Sequence, residues 1–587
     1  MEHTYTTSSA FLEALQEAGV TYIFSNFGSD HPGIIESLAT GRKEGKKLPE
    51  VITCPHEMVA LSMAHSYAQL TKEPQAVLVH VECGTQNLGG AIHNAYKGRV
   101  PVLIFAGASP YTQEGELPGS RNEFIHWIQD VPDQRGIVRG YMKYENEIRT
   151  GANVKQVVHR ALQIAQSQPK GPVYLMGPRE TMEEETIPVP VSSEQWKPVA
   201  PKALPPQDVL NIVGDIITAE TPLLITSYLG KNPNAVRELV ALCEKMAIPV
   251  IESVPNYMNF PANHPMHCGY QWNTPEQNDL IKEADLVLIF DSDVPWIPSK
   301  NKPSEHCSIY HFDEDPLKES MPLWYISSKR SFEVDSYTAL QQLNEALDHA
   351  AIEKDTFNKR REAISFYHNR KRREEEKAED SEEKEITPEY LTACIREVID
   401  DETIVVNEGI SNYETIYTHL KRSRPGSILS SGGGSLGWNG GASLGAKLAL
   451  KEKKIVNVTG DGSFLFSVPS AVHWLSRKYD LPFLTIIYNN GGWKSPKLST
   501  LGVHPEGSAK EADQFWVDFE PYADLAGIAE AAGGAFAKTV QEPAELKTII
   551  KEAMNVVEQG RSAVLDVHLP RVSGKNLEKG DHLKKGQ

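Results

Sequence analysis

Three times along the 587-residue chain, short apolar runs alternate with amphipathic stretches, and many of the runs close on polar, often glycine-bearing turns. This rhythm limits the fold more than any other feature. Apolar runs of strand length separated by helix-length stretches belong to parallel strands buried on both faces and joined by crossover helices. Such a chain is too long for one core, so several domains are expected. The first segment, 1–190, places strands at 22–24, 51–53, 76–81, 102–106 and 173–176. The second, 200–350, places them at 223–226, 249–252, 286–290 and 308–312, after a proline-rich boundary near 187–206. The third, 387–575, opens on Thr387-Pro388-Glu389, a helix start, and places strands at 404–406, 428–430, 455–459, 484–488 and 563–567. Between the last two, 352–386 is dominated by Lys, Arg and Glu and reads as a solvated helix or linker. The fold class is therefore α/β, with three doubly wound parallel-sheet domains.

The net charge of −19 argues against a nucleic-acid or anionic-membrane surface. Six scattered cysteines with no CxxC pair read as reduced thiols. The longest apolar run, 100–108, suits a buried strand and is too short for a bilayer. No secretory signal is visible, so a cytoplasmic protein is expected.

The strongest motif is Gly460-Asp461-Gly462-Ser463, which follows the apolar run 455–459; 26 residues separate Gly462 from Asn489-Asn490, at the end of the next run. Strand, turn, helix and strand fit that interval, so both turns emerge at one sheet edge, where ligands gather. Asp461 offers a charged oxygen, Asn490 a neutral one and Gly492 a backbone carbonyl, an oxygen set suited to Mg2+ carrying a phosphate. Gly462 admits close approach, and the Ser463 amide opens a helix toward the anion. This pairing resembles the thiamine-diphosphate-dependent superfamily of acetolactate synthase and benzoylformate decarboxylase, whose motif is GDG followed by NN.

A second cluster, Gly432 to Gly437, satisfies G-x-G-x-x-G and opens a nicotinamide-dependent dehydrogenase as a rival reading. That reading wants a ribose-binding acid at the end of the next strand, which instead ends in Gly460-Asp461-Gly462. The resemblance gives the cluster another role. Gly434 matches the residue whose carbonyl meets the aminopyrimidine, and Leu436 the apolar wedge beneath the bent cofactor. Ser411, beside Asn407-Glu408, matches a diphosphate contact.

Glu57, in Cys54-Pro55-His56-Glu57-Met58, precedes a small-residue helix and matches the family's activating glutamate. A carboxyl group there bonds the far ring nitrogen of the aminopyrimidine and favours the tautomer that activates the cofactor. Ser29 matches a substrate-contacting serine, His80 a proton-shuttling histidine, and Gln129 a glutamine of acetolactate synthases; His31 and Asn87 are weaker matches. Two departures stand out. Residues 491–497 read Gly-Gly-Trp-Lys-Ser-Pro-Lys, unlike the acceptor-choosing residues of acetolactate synthases. No second-segment histidine matches the other relay residue of benzoylformate decarboxylase; that place holds Asp293-Val294-Pro295-Trp296-Ile297. No flavin motif is evident. The resemblance implies pyrimidine-binding, central and diphosphate-binding domains in that order. It also implies a homodimer or homotetramer, and a small 2-oxo acid substrate that is decarboxylated with or without ligation to a second carbonyl. A catalytically silent binding protein is a further alternative.

Overall fold

The computed structural model describes residues 4–273, 276–350, 352, 357–380 and 385–571. Parts of the 352–386 stretch, and 572–575 at the end of the third segment, lie outside the described residues. Three sheets of six strands each, all parallel, carry flanking helices. The first contains β1 (Tyr22–Ser25), β2 (Glu50–Thr53), β3 (Gln75–Val79), β4 (Val102–Ala108), β5 (Tyr144–Glu147) and β6 (Val173–Pro178). The second contains β7 (Pro222–Thr226), β8 (Val250–Ser253), β9 (His267–Gln271), β10 (Leu286–Phe290), β11 (Ser308–Asp313) and β12 (Arg330–Glu333). The third contains β13 (Ile404–Glu408), β14 (Ile428–Leu429), β15 (Ile455–Gly460), β16 (Leu484–Asn489), β17 (Phe536–Val540) and β18 (Ala563–His568).

The strand orders are β2-β1-β3-β4-β6-β5, β12-β11-β10-β7-β8-β9 and β14-β13-β15-β16-β18-β17. The first and third sheets thus share one topology, although no sequence repeat marks it. Four strands were not expected: β5, β9, β12 and β17. Each lies at an edge of its sheet. An edge strand is paired on one side only, so its sequence need not be an apolar run; Tyr-Glu-Asn-Glu and Arg-Ser-Phe-Glu are examples. Residues 80 and 81, expected at the end of β3, instead turn out of the strand, with His80 preceding the helix Val81–Asn87.

The charged stretch forms the helix Asn358–Ala378, which lies along the second sheet. Arg360 donates to the carbonyls of Ala219 and Met246, and His368 Nδ1 sits 2.7 Å from the carbonyl oxygen of His267, on β9. Ile364 and His368 are buried, while Lys359, Glu362, Arg370, Arg373, Glu374, Glu376 and Lys377 are exposed.

The first and third segments meet through two helices, Glu57–Thr71 and Trp438–Ala449, whose small residues allow close approach. A Cβ on Gly441 would lie 2.8 Å from the Val59 carbonyl, and one on Gly445 2.2 Å from that of Met63. Val59, Ala60 and Met63 share one apolar core with Trp438, Ala442 and Ala446. The six cysteines are unpaired. Among the described residues no helix is long and apolar enough to cross a membrane.

Candidate active site

The carboxyl ends of the third sheet's strands carry the oxygen-rich turns. β15 closes on Gly460, and Asp461 opens the short helix Asp461–Phe466. The Asp461 carboxylate is buried; Oδ1 accepts from the Gly462 amide and Oδ2 from the Gly492 amide, each at 2.8 Å. No Lys, Arg or His pairs with it among the described residues. Burial pushes its carboxyl up to about 6, against the pull of those amides. An anion desolvated without a counter-charge is unfavourable, and a divalent cation would supply the charge.

That carboxylate faces a cavity of about 300 Å3 lined by Gly409, Ile410, Ser411, Leu436, Gly460–Ser463 and 492–496. Four separate turns therefore converge on it: after β13, after β14, after β15 and after β16. The glycines are needed for approach. A Cβ on Gly462 would lie 2.6 Å from Trp493 Nε1, and one on Gly492, at φ +151, would lie 2.2 Å from the Val517 carbonyl. Asn490 is half-buried and lines the small adjoining pocket with Gly491, Gly492 and Asp518. Its neighbour Asn489 is committed elsewhere, donating to Asp566 at 2.9 Å and accepting from the Gly491 amide.

A buried polar hub fixes three of these turns. Glu408, at the end of β13, accepts from the Gly437 and Asn439 amides and from Asn439 Nδ2, each at 2.7 Å. Asn439 Nδ2 also donates to the Ser463 carbonyl at 3.1 Å, and Asn457 donates to Asn439 Oδ1 at 2.9 Å. Burial pushes the Glu408 carboxyl up to about 7 in spite of these donors. The hub was not legible in the sequence, because Asn439 lies inside a helix of small residues with no motif around it.

The cavity fits a diphosphate held by a metal. It combines an uncompensated carboxylate, the hydroxyls of Ser411 and Ser463, glycine turns that admit phosphate oxygens, and the apolar Leu436.

The first sheet's carboxyl edge carries a different set. Glu57 opens its helix after β2, buried, and accepts from Asn87 Nδ2 at 2.5 Å. His80, partly open, follows β3; its Nδ1 sits 2.6 Å from Asp30 Oδ1. That carboxylate holds the imidazole above its ordinary value despite partial burial, and Glu57 adds to the effect. Gln129 is buried after the short helix Ile125–Ile128, with neither amide atom hydrogen-bonded. Ser29 is half-buried in the turn after β1, next to Asp30.

Glu57, His80 and Gln129 thus gather at one edge, but none of them, nor Ser29, lines the cavity at Asp461 within the chain. Gly434 instead faces the first segment. Its amide donates to His93 at 3.1 Å, while Ser435 exchanges two hydrogen bonds with Asn94, both from the helix Gly90–Lys97. These His93 and Asn94 contacts, like the Asp30 pairing, had no signal in the sequence, since each joins residues far apart in the chain.

Comparison with known proteins gives the family and the fold. The description "Thiamine pyrophosphate enzyme, N-terminal TPP binding domain" matches residues 5–137, the family's central domain 210–320, and its C-terminal TPP binding domain 409–567. The last span includes the 432–437 glycine cluster, which removes the main support for a nicotinamide site there. An acetolactate synthase of Bacillus subtilis (strain 168) is 23% identical over 558 residues, covering 93% of this chain and 90% of its own length. A benzoylformate decarboxylase of Pseudomonas aeruginosa is 24% identical over 499 residues, covering 83% and 86%. The solved structure of a thiamine diphosphate-dependent 4-hydroxybenzoylformate decarboxylase from Rhodococcus jostii RHA1 superposes with a TM-score of 0.76 at 21% identity, covering 96% of this chain and 99% of that one. With all three domain matches in order along the chain, this protein belongs to the thiamine pyrophosphate enzymes.

Proposed function

We propose that this enzyme holds thiamine diphosphate through Mg2+ and decarboxylates a small 2-oxo acid, joining the remaining fragment to a second carbonyl compound in the manner of acetolactate synthases. The observation that carries the reading is the buried Asp461 carboxylate, with no Lys, Arg or His paired to it among the described residues, at a cavity built from four glycine-bearing turns. Asp461, Asn490 and the Gly492 carbonyl would hold the metal; Ser411, Gly462 and Ser463 would contact the diphosphate. Leu436 and Gly434 would seat the rest of the cofactor. When bound, the cofactor supplies a nucleophilic carbon and an electron sink for the pair released as carbon dioxide leaves. Glu57 holds a proton at the far side of the aminopyrimidine, His80 moves one at the substrate, and Ser29 and Gln129 orient the acid.

The Glu57 edge and the Asp461 cavity carry complementary halves of this machinery, which supports a site completed between two chains. Exposed apolar side chains lie beside both: Phe124, Trp127 and Ile128 next to Gln129, and Phe466 and Trp493 at the Asp461 cavity. A homodimer or homotetramer follows from this reading.

Simple decarboxylation, as in the benzoylformate decarboxylase relative, is the second reading. It is favoured by Trp493, Lys494, Ser495 and Pro496, which line the cavity and depart from the acceptor-choosing residues of acetolactate synthases. Incubation with 2-oxo acids, cofactor and Mg2+ tests both readings. With pyruvate, acetoin after acid treatment indicates ligation and acetaldehyde indicates decarboxylation. No cofactor uptake by calorimetry, with Mg2+ present, overturns the proposal.

A further inference from the structure

Asp30 is the most heavily constrained side chain at the first sheet's edge. It is 3% exposed and follows directly on the turn that carries Ser29. Its Oδ2 accepts from the Val81 amide at 3.0 Å, and its Oδ1 lies 2.6 Å from His80 Nδ1 and 2.9 Å from His31 Nδ1. The surrounding backbone is shaped to admit this arrangement. A Cβ on Gly28 would lie 2.0 Å from His80 Nδ1, and one on Gly107 1.9 Å from Asp30 Oδ2. Val81, whose amide Asp30 holds, has φ +28, a strained conformation for a β-branched residue. Strain of this kind persists only where neighbouring contacts enforce it. Two close-approach glycines, one strained valine and one buried carboxylate therefore converge on a single imidazole.

We propose that Asp30 is a positioning residue that keeps His80 in its Nδ1–H form, so that Nε2 is the atom exchanging protons with the bound 2-oxo acid. The inference rests on the function proposed above. In the charged form, Nε2–H gives its proton to the substrate, leaving neutral imidazole with Nδ1–H still donating to Asp30. A solvent proton then restores Nε2–H, and Asp30 stays anionic throughout. A carboxylate behind an imidazole fixes tautomer and orientation in this way without taking the proton itself.

The charge balance agrees. Burial pushes Asp30 up, but His31 and His80 together outweigh it and hold Asp30 well below the usual carboxylate range. Asp30 in turn raises His80. The other titratable groups facing the pair are Glu57 from its helix, His126 from the Ile125–Ile128 helix and Tyr174 from β6. Neutral Gln129 also adjoins His80.

The test is nitrogen NMR of 15N-histidine protein without cofactor, with the His80 signal assigned by its loss in His80→Gln. The expected result is Nδ1–H in the neutral form. In Asp30→Asn, which keeps an oxygen for the Val81 amide, the His80 pKa should fall by about one unit or more. The limb of the pH–rate profile belonging to His80 should move to lower pH by the same amount. For whichever 2-oxo acid the wild type turns over, kcat should fall roughly tenfold to a hundredfold, while KM and cofactor affinity hold. An Nε2–H tautomer in the wild type, or an unchanged His80 titration in Asp30→Asn, overturns the proposal. If Asp30→Asn does not fold, the wild-type tautomer decides alone. Absence of turnover with every 2-oxo acid would sink the proposed function, yet the NMR result would still decide the Asp30–His80 pairing.

Discussion

At Gly462 a hydrogen stands where any other residue would drive a methyl group or more into the Trp493 indole, 2.6 Å from Nε1. Gly462→Ala should therefore weaken thiamine diphosphate binding at least tenfold, about 1.4 kcal/mol, in calorimetry with Mg2+ present. Affinity equal to wild type would remove this turn from the binding site. Glu57→Gln should act differently: a neutral amide cannot exchange the proton, so turnover should fall by about a hundredfold or more while cofactor binding survives. Steady-state rates on cofactor-saturated enzyme check this. The turn 460–463 was readable in advance as a candidate, because an acid between two glycines after an apolar run is a local pattern. Asp30, His93 and Asn439 were not. Their partners lie 50, 341 and 31 residues away in sequence, and a lone Asp or Asn carries no periodic or spacing signal.

Elements show the same division. Central strands of each sheet are buried on both faces and announce themselves as apolar runs, whereas the edge strands β5, β12 and β17 are shaped by solvent on one side. For the helix Trp438–Ala449, only packing reveals that Gly441 and Gly445 admit the close approach of the Glu57–Thr71 helix. Gly445→Ala gains up to about 1 kcal/mol of helix propensity. Overpacking against the Met63 carbonyl should outweigh this, for a net loss of roughly 1–2 kcal/mol in urea unfolding. A stabilised variant would mean the two helices separate easily.

The hub at the end of β13 gives a pH prediction. Glu408 titrates at about 7 when folded, against about 4.3 when unfolded. Between those values the folded chain holds a proton that the unfolded chain has lost. The stability this group contributes is therefore present below the unfolded value and declines as pH rises toward 7, with no further slope above. Urea midpoints from pH 5 to 8 should show this decline, and Glu408→Gln should lack it.

At the scale of the molecule, mixing two inactive variants reads out how the chains pair. In a dimer with sites shared between chains, Glu57→Gln and Asp461→Ala subunits form one intact site per mixed dimer. Unfolding and refolding an equal mixture should then recover about a quarter of wild-type activity, since half the dimers are mixed and each has one good site. No recovery would place both residues in the same chain's site. The three-sheet plan followed from the alternation of strands and helices. The shared strand order of the first and third sheets did not, because topology can persist after sequence likeness has faded.

That duplicated strand order has a practical consequence. On the function proposed above, one strand order serves twice, once to carry Glu57 and His80 and once to carry Asp461 and the turns around it. Under that reading, substitutions at Ser29 or Gln129 should change which acid is accepted and leave the Asp461 cavity intact, since neither residue lines it. Selectivity and coenzyme anchorage would then be separately adjustable parts.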